Sequence, residues 1–100
     1  MAISKVEHFF VELTTNHAGA VTQIVSGKFA VNEFELHSSI YSACPFLEGT
    51  LEALTINDPF LMEAMVVISD EKEYNVDVEL LKSEKEVSVL IHNRTNVYKY

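Results

Sequence analysis

The feature that most constrains this chain is a pair of runs between residues 72 and 92 in which apolar and polar side chains alternate. Every second residue is β-branched, aromatic or leucine: Tyr74, Val76, Val78 and Leu80 in the first run, and Val87, Val89 and Ile91 in the second. A period of two is typical of a strand with one buried face. Residues 82–85 between the runs are polar and predict a turn, so the two strands form a hairpin.

Further strands are predicted upstream. Residues 61–69, which precede the charged patch at 70–73, extend the hairpin into an antiparallel meander. Residues 6–13 and 20–26 flank a turn at 14–19, whose Asn and Gly tolerate positive φ, and they predict a second hairpin. The meander has an apolar face, and another layer of the chain must cover it.

Short helices from the middle of the chain are expected to supply that cover. Helical turns are predicted at residues 29–34, at 40–44 behind an N-cap at Ser38 or Ser39 and before Pro45, and at 49–54, followed by a turn at 57–59. None of them is long enough to be stable alone, so each must pack on the sheet. The predicted fold class is therefore α+β.

The composition limits the partners that we expect for this chain. Its net charge of −8 opposes binding to nucleic-acid phosphates and to anionic lipid. No apolar run approaches the roughly 20 residues of a membrane helix, and the first residues lack the apolar core of a signal peptide. We expect a cytoplasmic domain with no nucleic-acid partner and no direct membrane contact, even where a longer parent protein is anchored in a membrane.

The sequence contains no pattern typical of a catalytic site. Gly19, Gly27 and Gly49 are too far apart to form a phosphate-binding loop. No serine has the flanking glycines of a nucleophile elbow. The acidic residues lie mostly on the polar sides of strands or in turns. We predict no catalytic residue and a domain that is not itself an enzyme.

The cysteine and the histidines give no metal-binding pattern. Cys44 is the only cysteine, which excludes an internal disulfide. No two of the four histidines are three to five residues apart. His8 and His92 become neighbours if the first and last strands pair; they then either bind a metal or sense pH, or are two partly exposed sheet histidines. We predict no metal site.

The end of the last alternating run resembles a PAS domain. In that family the last strand ends in Asp, an aliphatic residue and Thr, just before a helix leads to the next module. Here Thr95 matches, while Asn93 replaces the Asp and Arg94 replaces the aliphatic residue. The resemblance implies that these three residues relay a signal from the strand to the following helix, with Thr95 or Asn96 as its N-cap. The alternative is that they form an ordinary strand end.

Other stretches extend the resemblance over nearly the whole chain. Ser39-Ile40-Tyr41 and Pro45-Phe46-Leu47 are similar to the "Ser-Ile-Phe … Phe-Pro-Phe-Leu" stretch of a PAS group found in bacterial sensor proteins. The family's fold is a five-stranded antiparallel sheet with its first and last strands adjacent at the centre and short helices over one face. The resemblance implies that residues 1–100 form one sensory domain excised from a longer protein.

PAS domains differ in what lies between the helices and the sheet: some hold a small molecule there, and in others the space is filled. The residues expected in this region are Phe29, Phe34, Ile40, Tyr41, Cys44, Phe46 and Leu54. They are the candidates for lining a ligand cavity. Large apolar side chains also fill a core by close packing, and both interpretations stay open.

The resemblance argues against two PAS cofactors. Cys44, Phe46 and Leu47 match the Asn-Cys-Arg-Phe-Leu-Gln motif of the flavin-binding subgroup, but its Asn, Arg and Gln are missing, and Ile91 stands where that subgroup has another Gln. Haem-binding members place a histidine on the helix before the third strand, and residues 49–59 contain none. We therefore predict neither flavin nor haem, and no other cofactor.

As a PAS-like domain, the chain is expected to be a sensory module of a bacterial signalling protein such as a histidine kinase or a nucleotide cyclase. It would form a homodimer and relay the binding of a small molecule or a partner to a C-terminal output module. A first alternative is the same fold used as a ligand-free dimerisation or interaction scaffold. A second is a small enzyme or binding protein with another α+β fold.

Overall fold

The structure, a computed structural model, describes residues 7–95. The strands are β1 (Phe10–Thr15), β2 (Val21–Gly27), β3 (Phe60–Ser69), β4 (Lys72–Lys82) and β5 (Val87–Asn93). The helical segments are the 3-10 turns η1 (Glu7–Phe9), η2 (Val31–Glu33), η3 (Ile40–Ser42) and η4 (Pro45–Leu47), and the α-helical turn α1 (Thr50–Ala53).

The strands form one antiparallel sheet in the order β2-β1-β5-β4-β3. The first and last strands are neighbours at its centre, where Phe10 lies opposite His92 and Thr15 lies opposite Val87. The predicted fold class, strand number and central pairing are confirmed. Because β1 and β5 run in opposite directions, the start of β1 lies beside the end of β5.

The alternating side chains of β4 and β5 form one half of the core, as predicted. Their buried residues are Val76, Val78, Leu80, Val87, Val89 and Ile91, each at most 1% exposed. Val11 and Leu13 of β1 continue this surface. The helical segments cover it with Phe34, Ile40, Cys44, Leu47 and Leu51, which belong to the same buried cluster. The core therefore lies between the sheet and the short helices.

The predicted bounds of the first strand were wrong at both ends. The strand was expected at residues 6–13, but residues 7–9 form η1 and the side chain of Phe9 is 52% exposed. At the other end, Thr14 and Thr15 are in β1 rather than in the turn, and both are buried. β-branched side chains favour a strand, and the hydroxyl of Thr14 forms a 2.7 Å hydrogen bond with that of Thr22 on β2.

The turn between β1 and β2 begins at Asn16. Its Oδ1 accepts hydrogen bonds from the backbone N–H groups of Ala18 and Ala20, at 3.0 and 2.9 Å. A short amide side chain that satisfies nearby backbone donors is a turn-forming device. This turn places the last strand residue two positions later than the alternation alone predicted.

The middle helices are shorter than predicted. Ser39 is the N-cap of η3, since its Oγ accepts a 3.1 Å hydrogen bond from the N–H of Tyr41. Pro45 starts a new turn, η4, because its fixed φ suits the first position of a helix. The predicted turn at 49–54 is α1, which is tied to β4 by a hydrogen bond from Lys82 Nζ to the carbonyl of Leu51.

The edge strand β3 contains a bulge between Met62 and Met65. Ala64 adopts a left-handed conformation there, with φ 57°. Its N–H donates a 3.1 Å hydrogen bond to Oδ1 of Asp77 on β4. A bulge bends an edge strand and interrupts the row of groups with which another chain pairs.

Within residues 7–95, no helix has the length and apolar character needed to cross a bilayer.

Candidate functional site: the exit of the central strand

The chain leaves the central strand β5 through a small hydrogen-bonded turn. Oδ1 of Asn93 accepts a 3.1 Å hydrogen bond from the N–H of Thr95 and a 2.7 Å hydrogen bond from its hydroxyl. The backbone becomes helical at Thr95. Asn93 therefore supplies the capping acceptor that was predicted for Thr95 itself. The other predicted cap, Asn96, lies outside the described residues.

The same turn is joined to the neighbouring strand β4 at one residue. The hydroxyl oxygen of Thr95 accepts a 3.1 Å hydrogen bond from the N–H of Asn75. The N–H of Arg94 donates a 2.7 Å hydrogen bond to the carbonyl of Asn75. The N–H and the carbonyl of Asn75 are thus both bonded to the two residues that follow β5. Because these bonds have defined directions, a shift of β4 relative to β5 changes the geometry at Thr95.

Arg94 extends the polar connection toward the edge of the sheet. Its Nε lies 3.7 Å from Oδ2 of Asp77, whose other oxygen binds the N–H of Ala64 in the β3 bulge. The Arg94 side chain is 46% exposed, so the ion pair itself is weak. The Asp77 carboxylate therefore contacts both the exit of β5, through Arg94, and the bulge of β3, through Ala64.

The structure places the seven cavity candidates in and around the core. Phe29, Phe34, Ile40 and Cys44 are buried, while Tyr41, Phe46 and Leu54 are partly buried and pack against them. Burial raises the pKa of the Cys44 thiol to about 12. Desolvation raises the pKa of Tyr41, and the carboxylates of Glu52 and Glu48 add to that effect. These residues form one cluster, and their role in ligand binding stays a prediction.

A polar cleft at the exit end of the sheet was not predicted. It has a volume of about 280 Å³, and Asn93 is part of its lining. Its walls come from segments that are distant in sequence: η1, the loop after β2, the β3–β4 turn and the end of β5. The order and directions of the strands bring these segments together. To predict the cleft from the sequence, one would need the correct strand order, which brings the polar residues Lys28, Asn32 and Asp70 together.

The two histidines that were considered as a pair occupy different positions. Phe10, rather than His8, lies opposite His92 on the central strands. His8 belongs to η1 and lines the polar cleft. His92 Nε2 lies 3.3 Å from Oε2 of Glu79 on β4. The residues from 7 to 95 contain no group of three or more potential metal ligands.

Comparison with known proteins identifies the architecture. No family model and no curated protein sequence matches the chain. Among solved structures, it is similar to the crystal structure of the PAS domain of an HTR-like protein from Haloarcula marismortui, with a TM-score of 0.69 over 92% of this chain and 96% of that chain. This chain has the PAS fold. The two sequences are 14% identical, so the likeness concerns the fold.

The PAS fold gives the residues at the exit of β5 a defined position. Asn93 is the last residue of the central strand β5, and Arg94 and Thr95 follow it directly. The sequence resemblance had aligned them with the family's exit motif, and the structure places them in one hydrogen-bonded turn. We take this exit turn, with the polar cleft beside it, as the candidate functional site of the domain.

Proposed function

We propose that this domain is a sensory module that relays a binding event to a C-terminal output module through β5 and the segment after Thr95. The observation that supports the proposal most directly is the position of the Thr95 hydroxyl. It donates to Asn93 and accepts from Asn75, so one side chain joins the start of the outgoing segment to both β5 and β4. A relay needs such a shared point of contact.

The relay is a shift between two arrangements of the same contacts. A ligand or partner that binds one arrangement more tightly shifts the population toward it, by no more than its difference in affinity. The change reaches the outgoing segment because Asn75, Asn93 and Thr95 share hydrogen bonds. In this proposal the domain carries out no reaction and holds no cofactor. It acts in the cytoplasm as a homodimer within a bacterial signalling protein such as a histidine kinase or a cyclase.

The test replaces Thr95 in the full-length parent protein and measures output activity. Thr95→Val keeps the shape of the side chain but removes the hydroxyl, and we expect it to change basal output or to abolish the response. Thr95→Ser keeps the hydroxyl and is the matched control, with output close to that of the parent. If Thr95→Val leaves both basal output and response unaltered, the exit turn is not the relay.

The alternative function is a ligand-free scaffold for dimerisation or protein interaction. It is favoured by the burial of Phe34, Ile40 and Cys44, which are at most 3% exposed between the helices and the sheet. Mass spectrometry of small molecules released from the purified domain, with an absorption spectrum before release, separates the two functions. A stoichiometric ligand supports the sensor, whereas a stable dimer that releases nothing supports the scaffold.

A further inference from the structure

The polar cleft at the exit end of the sheet has the size and chemistry of a site for a small ligand. Its volume of about 280 Å³ lies just under the roughly 300–1,000 Å³ of sites for drug-sized molecules. One part of the lining is aromatic, where the rings of Phe29 and Tyr74 meet edge to face with centroids 5.3 Å apart. This part offers apolar contact to a compact hydrocarbon group.

The rest of the lining carries groups of opposite charge. Lys28 and His8 provide nitrogens that donate hydrogen bonds, and Asn32 and Asn93 provide amides. Lys28 already takes part in an interaction within the protein, but its ammonium group has three N–H donors and can accommodate a ligand acceptor as well. Asp70 provides a carboxylate, which makes no hydrogen bond or ion pair to any residue between 7 and 95. A ligand that contacts both kinds of group must itself have a donor end and an acceptor end.

The backbone around the cleft is strained at Ala30 and Glu71. Ala30, which lines the cleft, has φ 52°, and Asp70 and Glu71 in the β3–β4 turn have φ 50° and 66°. The left-handed region costs an ordinary L-residue about 1–2 kcal/mol, whereas Asp tolerates it. Positive φ at both Asp70 and Glu71 is also what a two-residue hairpin turn requires. The conformational cost therefore falls on Ala30 and Glu71, of which Ala30 lines the cleft.

The charge of the whole chain favours one class of ligand. With a net charge of −8, the domain repels anions at long range. A zwitterion has no net charge and is not repelled, yet it presents a carboxylate to Lys28 and an ammonium group to Asp70. We propose that the cleft binds a free α-amino acid with a small neutral side chain, which packs against Phe29 and Tyr74.

This site deepens the proposed function because the cleft shares a residue with the relay. Asn93 lines the cleft, and its Oδ1 holds Thr95. A bound amino acid that contacts the Asn93 side chain therefore acts on the exit turn directly. Only this signalling role rests on the proposed relay, since binding itself is measured on the isolated chain.

The test is a titration of the isotope-labelled 100-residue chain, followed in amide correlation spectra. The probes are L-alanine, L-valine and L-leucine, together with two analogues of valine: 3-methylbutanoate, which lacks the ammonium group, and isobutylamine, which lacks the carboxylate. We expect saturable shifts at residues 28–32, 69–74 and 93–95 with at least one amino acid, and binding at least about tenfold weaker for both analogues.

Two charge-matched variants test the role of the acid. Asp70→Asn is expected to weaken amino-acid binding by roughly tenfold, because a charge-assisted contact to the ammonium group is lost. Asp58→Asn, an exposed acid in the turn before β3, is the control and leaves binding unchanged. Amide spectra of both variants establish that the fold is retained.

Three outcomes overturn the inference: no saturable shift with any of the amino acids, saturable shifts only at residues outside the cleft, or equal binding of 3-methylbutanoate, which would make the site a simple anion site. The relay is tested separately by Thr95→Val. If an amino acid binds but Thr95→Val does not change output, the proposed relay is wrong and the binding site stands. If Thr95→Val changes output but no amino acid binds, the binding site is wrong and the relay stands.

Discussion

The backbone of Gly27 lies against the carbonyl group of Phe10, so close that there is no room for a Cβ atom. The same carbonyl oxygen accepts a 3.0 Å hydrogen bond from the N–H of Phe29, in the loop between β2 and η2. Gly27 also has φ 82°. The end of the β1–β2 pair therefore requires glycine for two independent reasons, the backbone angle and the close approach.

We predict that Gly27→Ala destabilises the domain far more than Gly49→Ala. Both glycines have φ 82°, but a Cβ atom at Gly49 would meet nothing within 4 Å. Gly49→Ala thus measures the backbone cost alone, about 1–2 kcal/mol. Gly27→Ala adds the displacement of the Phe10 carbonyl, about 1–3 kcal/mol more. Urea denaturation measures both values, and equal losses of stability would contradict the close approach.

Replacement of Glu71 by glycine is expected to stabilise the domain. Glu71 and Asp70 form the two-residue turn between β3 and β4 with positive φ at both positions. A turn of this kind favours glycine, so Glu71→Gly relieves about 1 kcal/mol of strain. Glu84→Gly, in the β4–β5 turn, removes the same charge where no positive φ occurs. It is expected to be neutral or destabilising in thermal unfolding, and a gain equal to that of Glu71→Gly would argue against relief of strain.

The stability of the domain is expected to fall above about pH 9 because of Cys44. Burial raises the pKa of this thiol from 9.0 to about 12 in the folded state. The unfolded chain therefore loses the proton first, and the contribution of Cys44 is fully present below pH 9 and is lost as the pH rises toward 12. The free energy of unfolding declines by up to about 1.4 kcal/mol per pH unit from this group.

Comparison with Cys44→Ala isolates that contribution, because every other ionisable group is the same in both proteins. The variant is expected to be less stable at pH 8, since it leaves a cavity. The difference between the two proteins then narrows as the pH rises through 9 to 11. Parallel curves of unfolding free energy against pH would show that the thiol titrates normally in the folded chain.

Lys82 is expected to stabilise α1 through a single contact. Its Nζ donates a 3.1 Å hydrogen bond to the carbonyl of Leu51, a residue that is itself fully buried. Lys82→Met removes the donor and is expected to cost about 1–3 kcal/mol. Lys85→Met changes the same charge in the exposed β4–β5 turn and is expected to cost under about 0.5 kcal/mol. Denaturation curves of the two variants that coincide would exclude the contact with Leu51 as a source of stability.

The sheet was largely predictable because burial on one face imposes a period of two on the sequence. Val76, Val78, Val87 and Val89 carry that period, and all four are buried in the observed strands. A cap at Ser38 or Ser39 was also predictable, since a short hydroxyl side chain before an apolar turn has one common structural role, and Ser39 is the residue that caps η3.

Other features could not be predicted from local pattern. Phe9 and Phe10 are adjacent and both aromatic, so alternation does not show which of them starts β1. The stretch Phe60–Ser69 is apolar without alternation and gives no sign of the bulge at Ala64. The polar cleft depends on which strand ends meet, and that depends on the order of the whole sheet. Asn93 was identified as a relay candidate, but its contact with the cleft follows from topology alone.

The position of β1 and β5 side by side has a consequence for synthesis of the domain on the ribosome. The two hairpins that local pairing can form, β1–β2 and β3–β4, have no shared edge until Val87–Asn93 has left the exit tunnel. Until then, the edges that β5 will cover, on β1 and on β4, are open to other chains. When β5 inserts, it pairs with β1 and β4 at once. A translation product that stops before Val87 therefore has two separate hairpins and no continuous sheet.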